Sequence, residues 1–454
     1  MRAWGFWAGL FVAVAAHASL LDQSFNPGTG ANGLVETIVP LADGKILMCG
    51  NFTTFNNASR AYIARLNANG SIDTNFNGHP AYWVRSMSLQ TDGKIVIGGF
   101  FNFVEGAPRN LVARLNADGG LDTSFDPGTG ATGVLGVAVD GDADPFIFAT
   151  AIQPDGKILI TGNFTNYNGT DMYGIARLNT NGSLDTNFNI GAGFNVNSWG
   201  RSLLVQPNGQ IMATGWFTSY NNHSYNRMVR LNPDGSADNT FNPSFGDLTA
   251  IYNAVLLTNG QYNVVGDSQN TTLFRQNMGR LNPNGSFDTN FAGQDNDKTE
   301  TIRQQPDGKL LIGGYFSEMD GADRASIARL NPDGTIDAGF SANIDNFVWT
   351  IALQSDGRVL IGGGFSKVDG ISRNGIARLL ASTGPLLQNP HYSGHSFSVA
   401  TPTVPGANYT LQYRASQSDT NWSTGPSTNG SGSVVTLTDS SATNAARYYR
   451  VLMH

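Results

Sequence analysis

The chain has 454 residues, with 27 lysines and arginines against 34 aspartates and glutamates, a net charge of −7 and only 13% charged residues. So dilute and mildly acidic a balance argues against nucleic acid or an anionic membrane surface as partner. Polarity comes instead from Asn, Ser, Thr and 55 glycines, as in turn-rich all-β proteins, and the single cysteine excludes an intramolecular disulfide.

The first 18 residues read as a targeting segment. Arg2 supplies the positive start, Ala3 to Ala16 is mostly apolar, and Ala16-His17-Ala18 forms an A-x-A site. Export with cleavage after Ala18 is expected, giving a secreted or cell-surface protein. The apolar core is too short for a comfortable membrane span, the alternative being an N-terminal membrane anchor, and no later stretch approaches the roughly 20 apolar residues a span needs.

Seven Asx-Gly pairs then recur: Asp43-Gly44, Asp92-Gly93, Asp155-Gly156, Asn208-Gly209, Asn259-Gly260, Asp307-Gly308 and Asp356-Gly357. Their spacings of 49, 63, 53, 51, 48 and 49 residues mark a closed or stacked repeat architecture. Each unit reads as four strands. In the second unit these are Val84 to Leu89, the run KIVIGGFF from Lys94, Leu111 to Leu115 and Leu121 to Phe125, with tight Asx-Gly hairpins between. The second strands, such as Ile95-Val96-Ile97, are continuous apolar runs, so both of their faces must be covered. Cys49 stands where other units place Gly98, Thr161 or Gly313 and is expected to be a packed thiol rather than a catalytic one.

The third strand of every unit ends in Arg-Leu, at Arg65, Arg114, Arg177, Arg230, Arg280, Arg329 and Arg378. Six units place an aspartate eight residues later: Asp73, Asp122, Asp185, Asp238, Asp288 and Asp337. Repetition in every unit argues for a structural pair rather than for chemistry needed once. The seventh unit lacks the trailing LDxxF element, and a spare one, Leu21 to Phe25, precedes the first turn. The reading is an all-β, seven-bladed β-propeller over residues 19–386, closed by an N-terminal outer strand. Residues 387–454 read as a small C-terminal β-sandwich, with strands near Ser396 to Ala400, Tyr409 to Ala415, Ser433 to Thr438 and Arg447 to Leu452.

The DGKILIGG-like and ARLNxDGSLDxxF segments resemble the delta-60 repeats of secreted bacterial proteins, over about Leu21 to Leu380. The resemblance implies a propeller and no particular activity. Unit five departs from it, with Ser268 where other units have phenylalanine, and is expected to be the loosest or most specialised blade. The tail, with FSV…YTLQYRAS…W…RYYRV, resembles the small immunoglobulin- or fibronectin-like modules at the C-termini of large secreted bacterial proteins. There Trp422 is expected to pack in a core or turn, the alternative being a ligand platform.

Function is sought where the units differ. The loops Asn77 to Tyr82, Asp126 to Pro145, Asn189 to Ser198 and Ala292 to Thr299 cross one face and vary most. Nine residues before each turn stand Leu34, Trp83, Phe146, Trp199, Ala250, Lys298 and Phe347; seven before stand Glu36, Arg85, Phe148, Arg201, Tyr252, Glu300 and Trp349. Trp83, Arg85, Phe146, Trp199, Arg201, Tyr252, Phe347, Trp349, Glu36 and Glu300 are therefore candidate ligand-binding residues at a channel mouth. Their aromatic faces suit a sugar ring and their charges fix its orientation; the alternative is that the aromatics fill gaps between blades. Asp140, Asp142 and Asp144 resemble the start of a calcium loop, but Ala151 occupies the twelfth position where glutamate belongs. No HExxH, GxSxG or paired-histidine motif occurs, so no catalytic residue is assigned. The expected function is a secreted, non-catalytic scaffold that binds a glycan or a partner protein at its variable-loop face. The alternatives are a polysaccharide-active hydrolase or lyase using Glu36 and Glu300, and a structural surface or adhesion component.

Overall fold

The computed structural model describes residues 19–135, 144–245, 250–267, 277–380, 388–393, 396–402, 408–414, 421–430, 434–442 and 447–453. The targeting segment, Asp140, Asp142 and Ser268 lie outside them. The chain divides into two compact units, one spanning Leu21–Ala381 and the other containing Ser382–His454. Among the described residues no helix is long and apolar enough to cross a membrane.

The larger unit is a seven-bladed β-propeller. Each blade is a three-stranded antiparallel sheet with its strands in chain order. The inner strands are Val35–Pro40, Val84–Leu89, Phe146–Ile152, Trp199–Val205, Ala250–Leu256, Thr299–Gln304 and Val348–Leu353. Each packs beside the inner strands of its two neighbours, and that of blade seven lies beside that of blade one. The middle strands, for example Ile95–Gly99 and Leu310–Gly314, are buried along their whole length, apart from Trp216 at the end of Ile211–Trp216. Each fully buried Ile or Leu contributes roughly 1.5–3 kcal/mol, so this layer carries much of the folding free energy. Cys49 lies in it, fully buried, and burial pushes its thiol proton affinity far up, which makes it unreactive.

The fourth strand of each blade is shorter than expected. A single bridge stands for it, such as Leu115 to Leu121 or Leu330 to Ile336. The LD aspartate ends the pairing at once: Asp122 accepts a hydrogen bond from Ser124 N at 3.0 Å, and Phe125 N turns back to Asp122 O at 3.2 Å. The polar loop after the middle strand also holds structure not anticipated, a two-residue hairpin such as Phe103–Val104 with Ala107–Pro108.

The Arg–Asp repeat ties the ring together. Arg65–Asp73, Arg114–Asp122, Arg177–Asp185, Arg230–Asp238 and Arg329–Asp337 pair at 2.7–2.8 Å. Arg65, Arg114, Arg177 and Arg230 also reach the turn of the following blade, as Arg230 Nη1 does to Pro283 O at 2.8 Å. Closure uses the same device. Leu21 bridges Leu379, Asp22 N donates to Arg378 O at 2.9 Å, and Arg378 Nε meets Asp22 Oδ2 at 2.8 Å. Blade five is the exception: Arg280 Nε donates to Asn263 Oδ1 at 2.9 Å rather than to Asp288.

The smaller unit contains two three-stranded sheets. One orders Gln388–Ser393, Ser396–Pro402 and Val434–Asp439; the other orders Ser423–Asn429, Asn408–Arg414 and Tyr448–Met453. Val399 and Leu437 from the first sheet share a core with Tyr409, Leu411 and Val451 from the second. Trp422 is half-buried beneath the Arg414 guanidinium, 4.6 Å from its ring centre.

Candidate ligand-binding channel

Every inner strand carries one β-bulge, at the same place. Pairing skips Glu36, Arg85, Phe148, Arg201, Tyr252, Glu300 and Trp349, the residues seven before each turn. A bulge re-aims the extra residue out of the pleat, and here all seven side chains line one cavity of about 410 Å³ on the propeller axis. The sequence encodes the bulge through a glycine on the facing strand. A Cβ at Gly50, Gly99, Gly162, Gly215, Gly266, Gly314 or Gly363 would strike the carbonyl oxygen of the residue two before the bulge, such as Trp83 O or Lys298 O. Only glycine admits so close a backbone approach.

A second cavity, of about 570 Å³, opens where the loops enter the inner strands. Leu34, Trp83, Asp297, Lys298, Tyr315 and Phe347 line it together with Glu36, Arg85, Arg201, Tyr252, Glu300 and Trp349, which both cavities share. The bulge ring therefore lies between a mouth chamber on the variable-loop side and an inner chamber on the Asx-Gly turn side.

The ring is an arginine–aromatic cluster. The Arg85 guanidinium lies 4.1 Å from the ring centre of Phe148, 5.2 Å from Trp349 and 5.3 Å from Trp83. That of Arg201 lies 4.7 Å from Tyr252 and 4.8 Å from both Phe148 and Trp349. Each arginine also has a carboxylate. Arg201 Nη2 donates to Glu300 Oε2 at 2.7 Å, and Arg85 Nε stands 3.8 Å from Glu36 Oε2. Burial raises the proton affinity of Glu300, although Arg201 and Arg85 oppose it. Arg201, Tyr252 and Trp349 remain half-exposed to the channel, whereas Glu36, Arg85 and Phe148 are buried.

The residues nine before each turn divide. Trp83, Lys298 and Phe347 reach the mouth chamber. Phe146 does not: it is fully buried, stacked on Phe100 at 4.8 Å and edge-on to Phe148 at 4.4 Å. Trp199 is half-buried against Trp216, with ring centres 5.0 Å apart, and lines neither cavity. These two belong to the wall; their aromatic partners, Phe100 and Trp216, stand eight residues after a turn, and Phe100 also stacks on Trp83 at 4.8 Å. The same partner position supplies Tyr315, which stacks on Phe347 at 4.4 Å and does line the mouth. Asp297, Tyr315 and Arg303 also line these chambers, outside the two rings counted back from the turns. Of the suggested calcium loop, Asp144 is exposed, and among the described residues no group of three or more His, Cys, Asp or Glu side chains could hold a metal.

A family model described as "Domain of unknown function (DUF5122) beta-propeller" matches residues 41–76, 90–125, 153–188, 206–241, 258–291, 305–340 and 354–382. No curated protein matches the chain in sequence. Among solved structures, one similar fold is PorZ, a surface component of the type-IX secretion system of Porphyromonas gingivalis. It is 10% identical with a TM-score of 0.43, and the match covers 94% of this chain and 59% of that one. Another is an exo-β-1,3-galactanase from Phanerochaete chrysosporium, 12% identical with a TM-score of 0.30 over 86% of this chain and 94% of that one. A family 43 arabinoxylan arabinofuranohydrolase from Bacillus subtilis is 12% identical with a TM-score of 0.26, over 95% and 96%. Likenesses this distant carry no argument about activity.

Proposed function

The chain belongs to the DUF5122 β-propeller family, and on that scaffold we propose a secreted, non-catalytic binding protein that holds a glycan at the mouth of its channel. The observation that carries this reading is the convergence of seven bulge residues, one per blade, on a shared space with aromatic faces beside fixed charge. Tyr252, Trp349, Phe347 and Trp83 offer flat apolar surface for a sugar ring. Arg201, Glu300 and Lys298 offer donors and acceptors for its hydroxyls. The cavity volumes fall within the range of roughly 300–1,000 Å³ usual for small-ligand sites. The A-x-A site ending at Ala18 and the resemblance to delta-60 repeats support an extracellular setting, and a segment of a partner protein is the other ligand that suits an exposed mouth.

A glycan-array screen tests the reading. Binding that is lost in Trp83→Ala and Trp349→Ala but kept in Trp199→Ala, whose ring lies in the wall, supports it. No binding to any glycan would leave a structural surface role instead.

The polysaccharide-active alternative has one observation in its favour, the raised proton affinity of Glu300, which suits a general acid. Against it, Arg201 already holds Glu300 at 2.7 Å. Turnover of a polysaccharide that disappears in Glu36→Gln or Glu300→Gln would establish the enzyme and refute the binding protein.

A further inference from the structure

We propose that the inner chamber is a receptor for a hydroxylated carboxylate, the chemistry of a uronic acid, with Arg303 as the group that holds the anion. This goes beyond glycan recognition at the mouth and concerns a separate chamber of the same channel. Four residues before each turn stand Val39, Ser88, Ala151, Leu204, Val255, Arg303 and Ala352, so Arg303 is the one charge in an otherwise uncharged level. It lines the inner chamber and not the mouth. Its Nη1 donates to Ile302 O at 2.8 Å and to Asn253 Oδ1 at 3.3 Å. Both partners are neutral, and among the described residues no carboxylate pairs with it.

The other arginines around this chamber differ. Arg85 and Arg201 each stand beside a glutamate. The chamber thus holds three arginines against two glutamates, and a single negative charge would balance it. Arg303 is half-buried in the chamber wall; a partly desolvated cation without a counter-charge is costly, and burial lowers its proton affinity accordingly. A planar guanidinium with free N–H groups matches the two oxygens of a carboxylate. Around it, Ser202, Thr301, Thr350 and Asn253 supply the polar wall that a hydroxylated ring requires, and Trp349 supplies a face to stack on.

Isothermal titration of the full chain with D-glucuronate, tetragalacturonate and D-glucose tests the proposal. Free and chain-terminal uronate are the two sources of the same chemistry, and the first two probes separate them. At least one uronate is expected to bind about tenfold or more tighter than glucose, as one charge-assisted hydrogen bond allows. That preference should vanish in Arg303→Gln and survive in part in Arg303→Lys, which keeps the charge and loses the fork. Melting temperatures of both variants show whether they fold; if Arg303→Gln does not, the Arg303→Lys titration decides, and affinity equal to wild type overturns the proposal. Equal affinity for glucose and uronate, or a uronate preference that persists in folded Arg303→Gln, also overturns it. If neutral glycans bind on the array and neither uronate binds in titration, the inner receptor falls while the mouth reading stands. If uronate binds and no array glycan does, the reverse holds.

Discussion

Single residues decide how the channel is charged and how it responds to pH. Counting back from each Asx-Gly turn located the ring from Glu36 to Trp349 because the repeat keeps a fixed register. It did not separate Trp83 from Trp199, since the count fixes a position along the strand and not which ring of a stacked pair faces the channel: Trp83 on Phe100 reaches the mouth, and Trp199 on Trp216 does not. Arg303 was legible in the units set side by side, as a charge among Val39, Ser88 and Ala151; only the structure shows that Arg303, with Leu204 and Val255 of the same level, faces a cavity. Asp295 carries the clearest pH effect. It is buried, accepts from Asn277 Nδ2 at 2.7 Å and pairs with Thr299 Oγ1. Burial pushes its pKa up to about 8 against those hydrogen bonds. In the unfolded chain it titrates near its ordinary value of about 3.9. Between these values the folded state holds a proton that the unfolded state has released, so stability falls as pH rises from about 4 to 8. Asp295→Asn keeps an acceptor for Asn277 Nδ2, turns an amide N–H toward Thr299 Oγ1 and removes the titration. Its melting temperature should gain on wild type progressively from pH 5 to pH 8; a constant difference would show that Asp295 does not titrate in this window.

At the scale of the element, one glycine per blade carries the site. Gly314 admits the backbone of Lys298, and that approach creates the bulge that aims Glu300 into the channel. Gly314→Ala should destabilise the protein by roughly 1–3 kcal/mol or more through overpacking and weaken ligand binding together with stability. Wild-type stability measured by denaturant unfolding would remove the glycine from this role. The run of apolar residues, glycine and phenylalanine was visible from the start as a repeat signature. Its meaning was not, because a bulge is set by pairing between strands and leaves no mark on the inner strand itself. Blade five departs at Asn263, a polar residue where the other middle strands have Leu47, Val96, Leu159, Met212, Leu311 and Leu360. Asn263 takes Arg280 away from Asp288, which is left with Gln261 Nε2 at 3.2 Å and Asn290 N at 3.0 Å. Amides of Tyr262–Asp267 should therefore exchange with solvent before those of the other middle strands. Equal protection across the blades would contradict this.

Across the whole propeller, closure and acid stability rest on the same repeated pair. Deleting residues 19–27 removes Asp22 and Phe25 and leaves Arg378 without its carboxylate. The truncated chain is expected to lose cooperative thermal unfolding of the entire ring, not of blade seven alone. In Asp73, burial acts to raise the pKa, but Lys45, Asn75 N and Arg65 outweigh it and hold the carboxyl at about 2. Asp22, Asp122, Asp185, Asp238 and Asp337 are likewise held below the ordinary range, against burial, by their hydrogen-bond partners. Folded values below unfolded ones mean that this stability is fully present above about pH 4 and is lost as pH falls through the folded values. In the Asp295→Asn background the melting temperature should drop between about pH 4 and 2, and Arg114→Met should flatten that drop in part. The ring, its seven blades and its closing segment were legible because a period near 50 residues leaves a counted imbalance at the two ends. The channel's ligand was not, because recognition lies in the positions where the units differ. Diffraction from crystals soaked in the saccharide that the array ranks highest locates that recognition directly. Density stacked against Tyr252 and Trp349 within reach of Arg201 is the expected result; a saccharide seated on the outer strands or on the C-terminal unit, with the channel empty, would contradict it.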